Sequence, residues 1–219
     1  MFRGLAIILV ASMITTGAQA QSNSNRAGSW EFGVLVTDNS SETLVGPEGA
    51  TLDIDSEIGW GITAGYHVTD KLELMFDIMW SSPDYLATRI IEDTMLADTI
   101  QADLDMFTYQ FKGVFHLIDG DFTPFVAANA GWTNMDSNII DSPPTTGCWW
   151  DPWWGYICET FVSTYSKTRF SYGAEVGLRM DLQNGMAVKA SYGIQEIDTS
   201  NATESASFDA WRMDILWRF

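Results

Sequence analysis

The chain has 219 residues, enough for one domain, and sets 11 Lys and Arg against 29 Asp and Glu for a net charge of −18. That imbalance excludes a nucleic-acid binder, because a phosphate partner requires a basic face. Mean hydropathy is −0.02, and beyond residue 20 no apolar run is long enough for a membrane helix, which excludes a helical membrane protein but not a barrel of alternating strands.

The chain begins with Arg3, an apolar run from Leu5 to Ile14, and the small-residue site Ala18-Gln19-Ala20. A basic start, a short apolar core and a small-x-small site predict a secretory signal peptide over 1–20, cleaved after Ala20. Residues 21–28 are polar and read as a periplasmic lead-in, leaving 29–219 as the folded unit.

From there apolar and polar residues alternate in run after run. Trp30, Phe32, Val34 and Val36 alternate with Glu31, Gly33, Leu35 and Thr37; Ile58, Trp60, Ile62, Ala64, Tyr66 and Val68 alternate with Gly59, Gly61, Thr63, Gly65 and His67. A turn at Thr69-Asp70 leads to Leu72, Leu74, Phe76, Ile78 and Trp80, set against Glu73, Met75, Asp77 and Met79. The fourth run places Phe107, Tyr109, Phe111 and Phe115 opposite Thr108, Gln110, Lys112, Val114 and His116, and ends at Asp119-Gly120-Asp121. The fifth, around Val126 to Trp132, is weaker and rich in small residues. The sixth sets Phe170, Tyr172, Val176 and Leu178 against Ser171, Glu175 and Arg179; Asn184-Gly185 then gives a strong hairpin signal. Val188, Ala190, Tyr192 and Ile194 follow against Lys189, Ser191 and Gln195. The last run sets Trp211, Met213, Ile215, Trp217 and Phe219 against Arg212, Asp214, Leu216 and Arg218.

Period-two alternation of this kind is a β-strand with one apolar face. Eight such runs of roughly ten residues match the length a tilted strand needs to cross a bilayer. Connections after the second, fourth and sixth runs are tight, whereas 38–56, 81–100 and 136–165 are long and polar and 199–205 is moderate. The 10 Trp also favour a membrane–water interface over a small buried core. The pattern predicts an all-β, eight-stranded antiparallel up-and-down transmembrane barrel, with short periplasmic turns and long outer loops. A β-sandwich would not sort its loops by length in this way.

The residues Gly59-Trp60-Gly61-Ile62-Thr63-Ala64-Gly65-Tyr66, Thr123-Pro124-Phe125-Val126, the run from Gly177 to Leu182, and Trp217-Arg218-Phe219 resemble the small outer-membrane β-barrel proteins. That group includes the membrane domain of OmpA, OmpW-like proteins and opacity-type surface antigens. The resemblance implies a bacterial outer-membrane location, lipid and lipopolysaccharide as neighbours, and Phe219 as the signal read by the barrel-assembly machinery. It departs from full-length OmpA in ending at the barrel, so no peptidoglycan-binding domain is implied.

Alternation places Glu31, Glu73, Asp77, Glu175 and Asp214 inside the barrel together with Lys112, Arg179, Lys189, Arg212 and Arg218. Buried charges persist only when paired, and eight strands leave a lumen just wide enough for side chains. A charged plug is therefore preferred to a narrow or gated pore. Acids in the outer loops, such as Asp38, Asp53, Asp55 and Asp84, show no calcium-loop spacing, and no metal or cofactor is assigned.

Cys148 and Cys158 are the only cysteines, and in the oxidising envelope they predict a disulfide. Between them lie Trp149, Trp150, Trp153, Trp154 and Tyr156. These rings either pack together at the lipid interface or form a surface-binding loop for an extracellular glycan or host ligand. An enzyme is not expected: His67 and His116 fall at the periplasmic ends of strands, and no Gly-x-Ser-x-Gly elbow occurs. Two readings remain, a structural and surface-interaction protein or a small-solute channel.

Overall fold

Eight strands close on themselves because every second side chain demands a different solvent. The computed structural model describes residues 26–219 apart from 46–49, 92–95, 141–142, 144, 162–163, 183–184 and 199–205. The signal peptide, Asn184 of the expected hairpin and the loop 199–205 lie outside the described residues. The barrel strands are β1 (Trp30–Asn39), β4 (Glu57–His67), β5 (Leu72–Ser81), β8 (Asp105–His116), β9 (Phe122–Ile140), β12 (Thr164–Asp181), β13 (Met186–Ile197) and β14 (Ala206–Arg218). All pair antiparallel with their chain neighbours in the barrel, and β1 pairs with β14 to close the ring. Closure removes the unpaired edge that a membrane would not tolerate.

The register sends the expected side chains outward. Val34, Ile62, Phe111, Val126, Val176 and Met213 are exposed in mid-wall, where lipid would meet them. Two aromatic belts flank them. At the turn end Trp30 packs on Tyr66 and Phe32, and Phe32 lies beside Phe219. At the opposite end Trp60, Trp80, Phe107, Tyr109, Trp132, Phe170 and Tyr172 make a run of ring contacts around the wall, with Tyr192 and Trp211 paired beyond it. Trp60 and Tyr66 are six residues apart on β4, about 20 Å of strand.

The long connections are not irregular loops. The first contains β2 (Glu42–Val45) and β3 (Thr51–Ile54), and the second β6 (Asp84–Ile91) and β7 (Leu96–Asp103); β3 pairs with β6, giving a four-stranded sheet in the order β2-β3-β6-β7. The third contains a separate hairpin, β10 (Thr145–Asp151) and β11 (Gly155–Phe161). The ends of β9 and β12 extend past the expected limits to carry that hairpin. Their shortness hid these strands, since alternation over only four to eight residues among acids and turn residues resembles a loop. The outer sheet buries its apolar residues in the ordinary sense: Ile54, Tyr85 and Leu104 form one cluster with Ile197, Ala206 and Phe208 at the barrel mouth.

Candidate functional site

The lumen is stacked in layers, each set by one pair of positions along the strands. At the turn end lies a floor of ion pairs. Arg179 on β12 makes a two-pronged contact with Glu31 on β1, with Nη1 donating to Oε2 at 2.9 Å and Nη2 to Oε1. Its Nη2 also donates to Asp181 Oδ1 at 2.8 Å. Arg218 Nη2 donates to the same Asp181 oxygen at 2.6 Å. Lys189 on β13 reaches both oxygens of Glu73 at 2.8 and 2.7 Å, and His116 Nε2 lies 3.1 Å from Glu73 Oε2. Glu31, His67, Glu73, His116 and Arg179 are all fully buried. Each charge there is stable only because a partner compensates its lost hydration.

Arg26 completes the floor, and the sequence reading missed it. Placed by its polar neighbours in the lead-in, it turns into the barrel and is buried, donating from Nε to Asp181 Oδ2 at 2.9 Å and from Nη2 to the Gly120 carbonyl at 2.6 Å and to Asp181. Asp70 holds it there from outside, accepting the backbone N–H groups of Arg26 and Ala27 at 2.7 and 3.0 Å. Those bonds, Ala27 first and Arg26 next, hold the Asp70 carboxyl below its usual range. Asp181 was likewise absent from the expected network, because its position at a strand end gave no alternation to read. The one available signal for Arg26 was a lone cation in a polar stretch just before the first strand.

Above the floor, two residues further along their strands, Met75, Val114, Phe125 and Leu216 form an apolar collar, in one cluster with Ala127 and Ala187. The expected plug was one of charged and polar side chains; the collar corrects this, since Met75, Val114, Phe125 and Leu216 are large apolar residues on the inward faces. The next layer centres on Asp77. Arg212 Nη1 and Thr63 Oγ1 donate to it at 2.7 and 2.6 Å, and Lys112 Nζ bridges it at 3.2 Å to Glu175 at 2.8 Å. Arg212 Nε also binds Asp214 Oδ1 at 2.7 Å. All ten charged residues expected in the lumen therefore face it, divided between two layers. Glycines let the strands approach: a Cβ on Gly131 would lie 2.1 Å from the Tyr109 carbonyl oxygen.

His67, Glu73 and His116 bring candidate metal-ligand atoms within 4.8 Å of one another. Both nitrogens of His67 lack an aligned hydrogen bond, although Nε2 comes within 3.0 Å of Glu31. Glu73 is already bound by Lys189 and stands 3.6 Å from Arg179. A dication would have to displace Lys189 amid further cations, so the cluster is better described as part of the floor.

On the outer side, Cys148 and Cys158 face each other across β10 and β11 and form a disulfide. The tip is a three-residue connection, Pro152-Trp153-Trp154. Asp151 Oδ1 accepts the N–H groups of Trp153 and Trp154 at 2.8 and 2.9 Å, and Gly155 takes the positive φ of 79° that closes the turn. This geometry throws the rings outward: Trp150, Trp153, Trp154 and Tyr156 are 69%, 85%, 81% and 71% exposed. Trp149 is the least exposed of the five, at 41%. Phe219, at the other end, is exposed on the lipid face with its backbone N–H bonded to the Trp30 carbonyl at 2.9 Å.

A family model of the outer membrane protein β-barrel domain matches residues 6–219. No curated protein matches the sequence. Among solved structures, the outer membrane protein OprG of Pseudomonas aeruginosa is 13% identical, with 89% of this chain and 97% of that chain covered and a TM-score of 0.53. Neisserial surface protein A, from Neisseria, is 11% identical over 87% of this chain and 97% of its own, with a TM-score of 0.50. At such identities these likenesses establish the barrel fold.

Proposed function

The chain belongs to the outer membrane protein β-barrel family, and from that premise we propose that it is a closed, non-catalytic barrel that displays an ordered outer surface. It resides in the bacterial outer membrane. Delivery there through the signal peptide over 1–20, and folding through recognition of Phe219 by the barrel-assembly machinery, belong to the same reading.

The observation that carries it is the floor beneath the collar. A pore needs a continuous wet path, and here five floor side chains from five strands are fully buried against one another. Opening the path means separating Arg179 from Glu31 and Asp181, which leaves buried charge uncompensated at a cost of about 3–5 kcal/mol. A gated channel would have to meet that cost at every opening. The exposed disulfide-linked hairpin supports the second half of the proposal. The Trp150, Trp153 and Trp154 rings are held largely in the open, and such rings commonly anchor partners. The partner fitting them is an extracellular glycan or a host surface protein.

Planar-bilayer recording of the refolded protein tests the closed barrel: no unitary conductance above background is expected, and stable conductance steps overturn it. Binding of the protein to glycan arrays and host cells tests the hairpin. The pair Trp153→Ala and Trp154→Ala is expected to abolish the binding seen with the unmodified chain while leaving its folding intact; undiminished binding removes the hairpin from the proposal.

A further inference from the structure

Pairing across β10 and β11 fixes what the hairpin presents to the outside. Thr146 faces Thr160, Cys148 faces Cys158 and Trp150 faces Tyr156. Alternate pairs share a face, so these six side chains form one surface, and all six are exposed. Trp153 and Trp154 add two open rings at the turn. Exposures of 69% to 85% leave Trp150, Trp153, Trp154 and Tyr156 outside any cleft. They offer flat π faces and no pocket.

Few polar groups accompany the rings. The Thr146 and Thr160 hydroxyls share a hydrogen bond at 3.4 Å. Asp151 is the only charged residue between the two cysteines, and its Oδ1 is taken by the Trp153 and Trp154 N–H groups. The wider surroundings are acidic. Asp38, Asp55, Asp84, Asp103, Asp105 and Asp209 are all exposed at this end of the molecule. Beyond the Asp77 layer, the cations whose side chains are described are Lys167 and Arg169.

Charge then selects the partner, because any macromolecule docking on the hairpin meets that field. Sulfated or phosphorylated surfaces are repelled, and a second copy of this chain would bring the same acids face to face. A neutral glycan finds rings to stack on, but the hydroxyls beside them are spent on each other, and a sugar also needs placed polar groups to fix its orientation. A cationic side chain needs what is present, an open indole face in a negative field. Arg suits it better than Lys, since its planar guanidinium stacks on a ring and is weakly hydrated.

We infer that the hairpin docks an Arg-rich segment of an extracellular protein, with guanidinium groups stacked on the indoles of Trp150, Trp153 and Trp154. Such docking specifies the partner of the display role proposed above and rests on that role. The outer acids speed the approach, and the rings hold the complex.

The test is surface plasmon resonance on the full chain in micelles, with nona-arginine, nona-lysine, heparin and maltoheptaose as probes. At physiological ionic strength nona-arginine is expected to bind severalfold more tightly than nona-lysine, and heparin not at all. Trp153→Ala/Trp154→Ala is expected to weaken nona-arginine binding roughly tenfold and to erase its advantage over nona-lysine. Asp84→Asn/Asp103→Asn is expected to slow association and to leave dissociation unchanged. Folding of each variant is checked by heat-modifiable gel mobility. Equal binding of the two peptides, or nona-arginine binding that survives the tryptophan change, means that diffuse acidity alone attracts cations, and overturns the inference. Failure of nona-arginine to bind overturns it as well. If heparin, maltoheptaose or host cells then still bind through Trp153 and Trp154, the display role stands without this partner.

Discussion

The barrel wall and the sheet above it obey the same alternation and solve opposite problems. In the wall Phe111, Val34 and Trp211 point out and Glu31, Asp77 and Arg212 point in. In the outer sheet Ile54 and Tyr85 are buried, while acids such as Asp84 and Asp103 stand in water. Nothing in strand geometry distinguishes the two, since the pleat only assigns residues to faces. The solvent on each face decides which set is buried. One chain thus changes polarity within a few residues, at the joints between β3 and β4 and between β5 and β6.

The largest expected effect breaks the wall from within. Arg179→Met leaves Glu31 and Asp181 short of a partner in the buried floor, and the barrel should lose about 3–5 kcal/mol in a urea titration in micelles. Adding Glu31→Gln should recover part of the loss. A destabilisation below about 1 kcal/mol would show that water reaches the floor and that burial there is overstated.

A smaller effect tests the outer face of the wall. Phe111→Arg puts a charge toward lipid in mid-wall and should cost about 2–4 kcal/mol in bilayers. The same change at Leu86, exposed on the outer sheet, should stay within about 0.5 kcal/mol. Equal costs at both positions would remove the distinction between the two regions.

The smallest effects sharpen the comparison through pH. Asp70 at the turn end is held below 3.8 by the Ala27 and Arg26 N–H groups. A depressed folded pKa means that its contribution is complete above the ordinary carboxylate range and is lost as pH falls through the lowered value. Asp84 is raised above 3.8, first by its hydrogen bond with Asp103 and then by their repulsion. Its sign is opposite: the strain is present at neutral pH and is relieved as pH falls through the raised value. Hydrogen exchange should therefore show the β6–β7 amides gaining protection on mild acidification, with Arg26 and Ala27 losing theirs only in stronger acid. Asp70→Asn should remove the second response and leave the first.

The sequence by itself determined the eight wall strands, which residues face lipid and which face the lumen, and the cysteine pair. Each of these depends on local spacing: a period of two sorts faces without reference to the rest of the chain, and two cysteines in an oxidising compartment have one choice. The tertiary structure alone decided the rest. Arg26 joins the floor through Asp181, 155 positions away; the collar needs residues from several strands at one height. The outer sheet exists because β3 meets β6. No local pattern encodes such meetings, since they depend on how far each strand is shifted against the next.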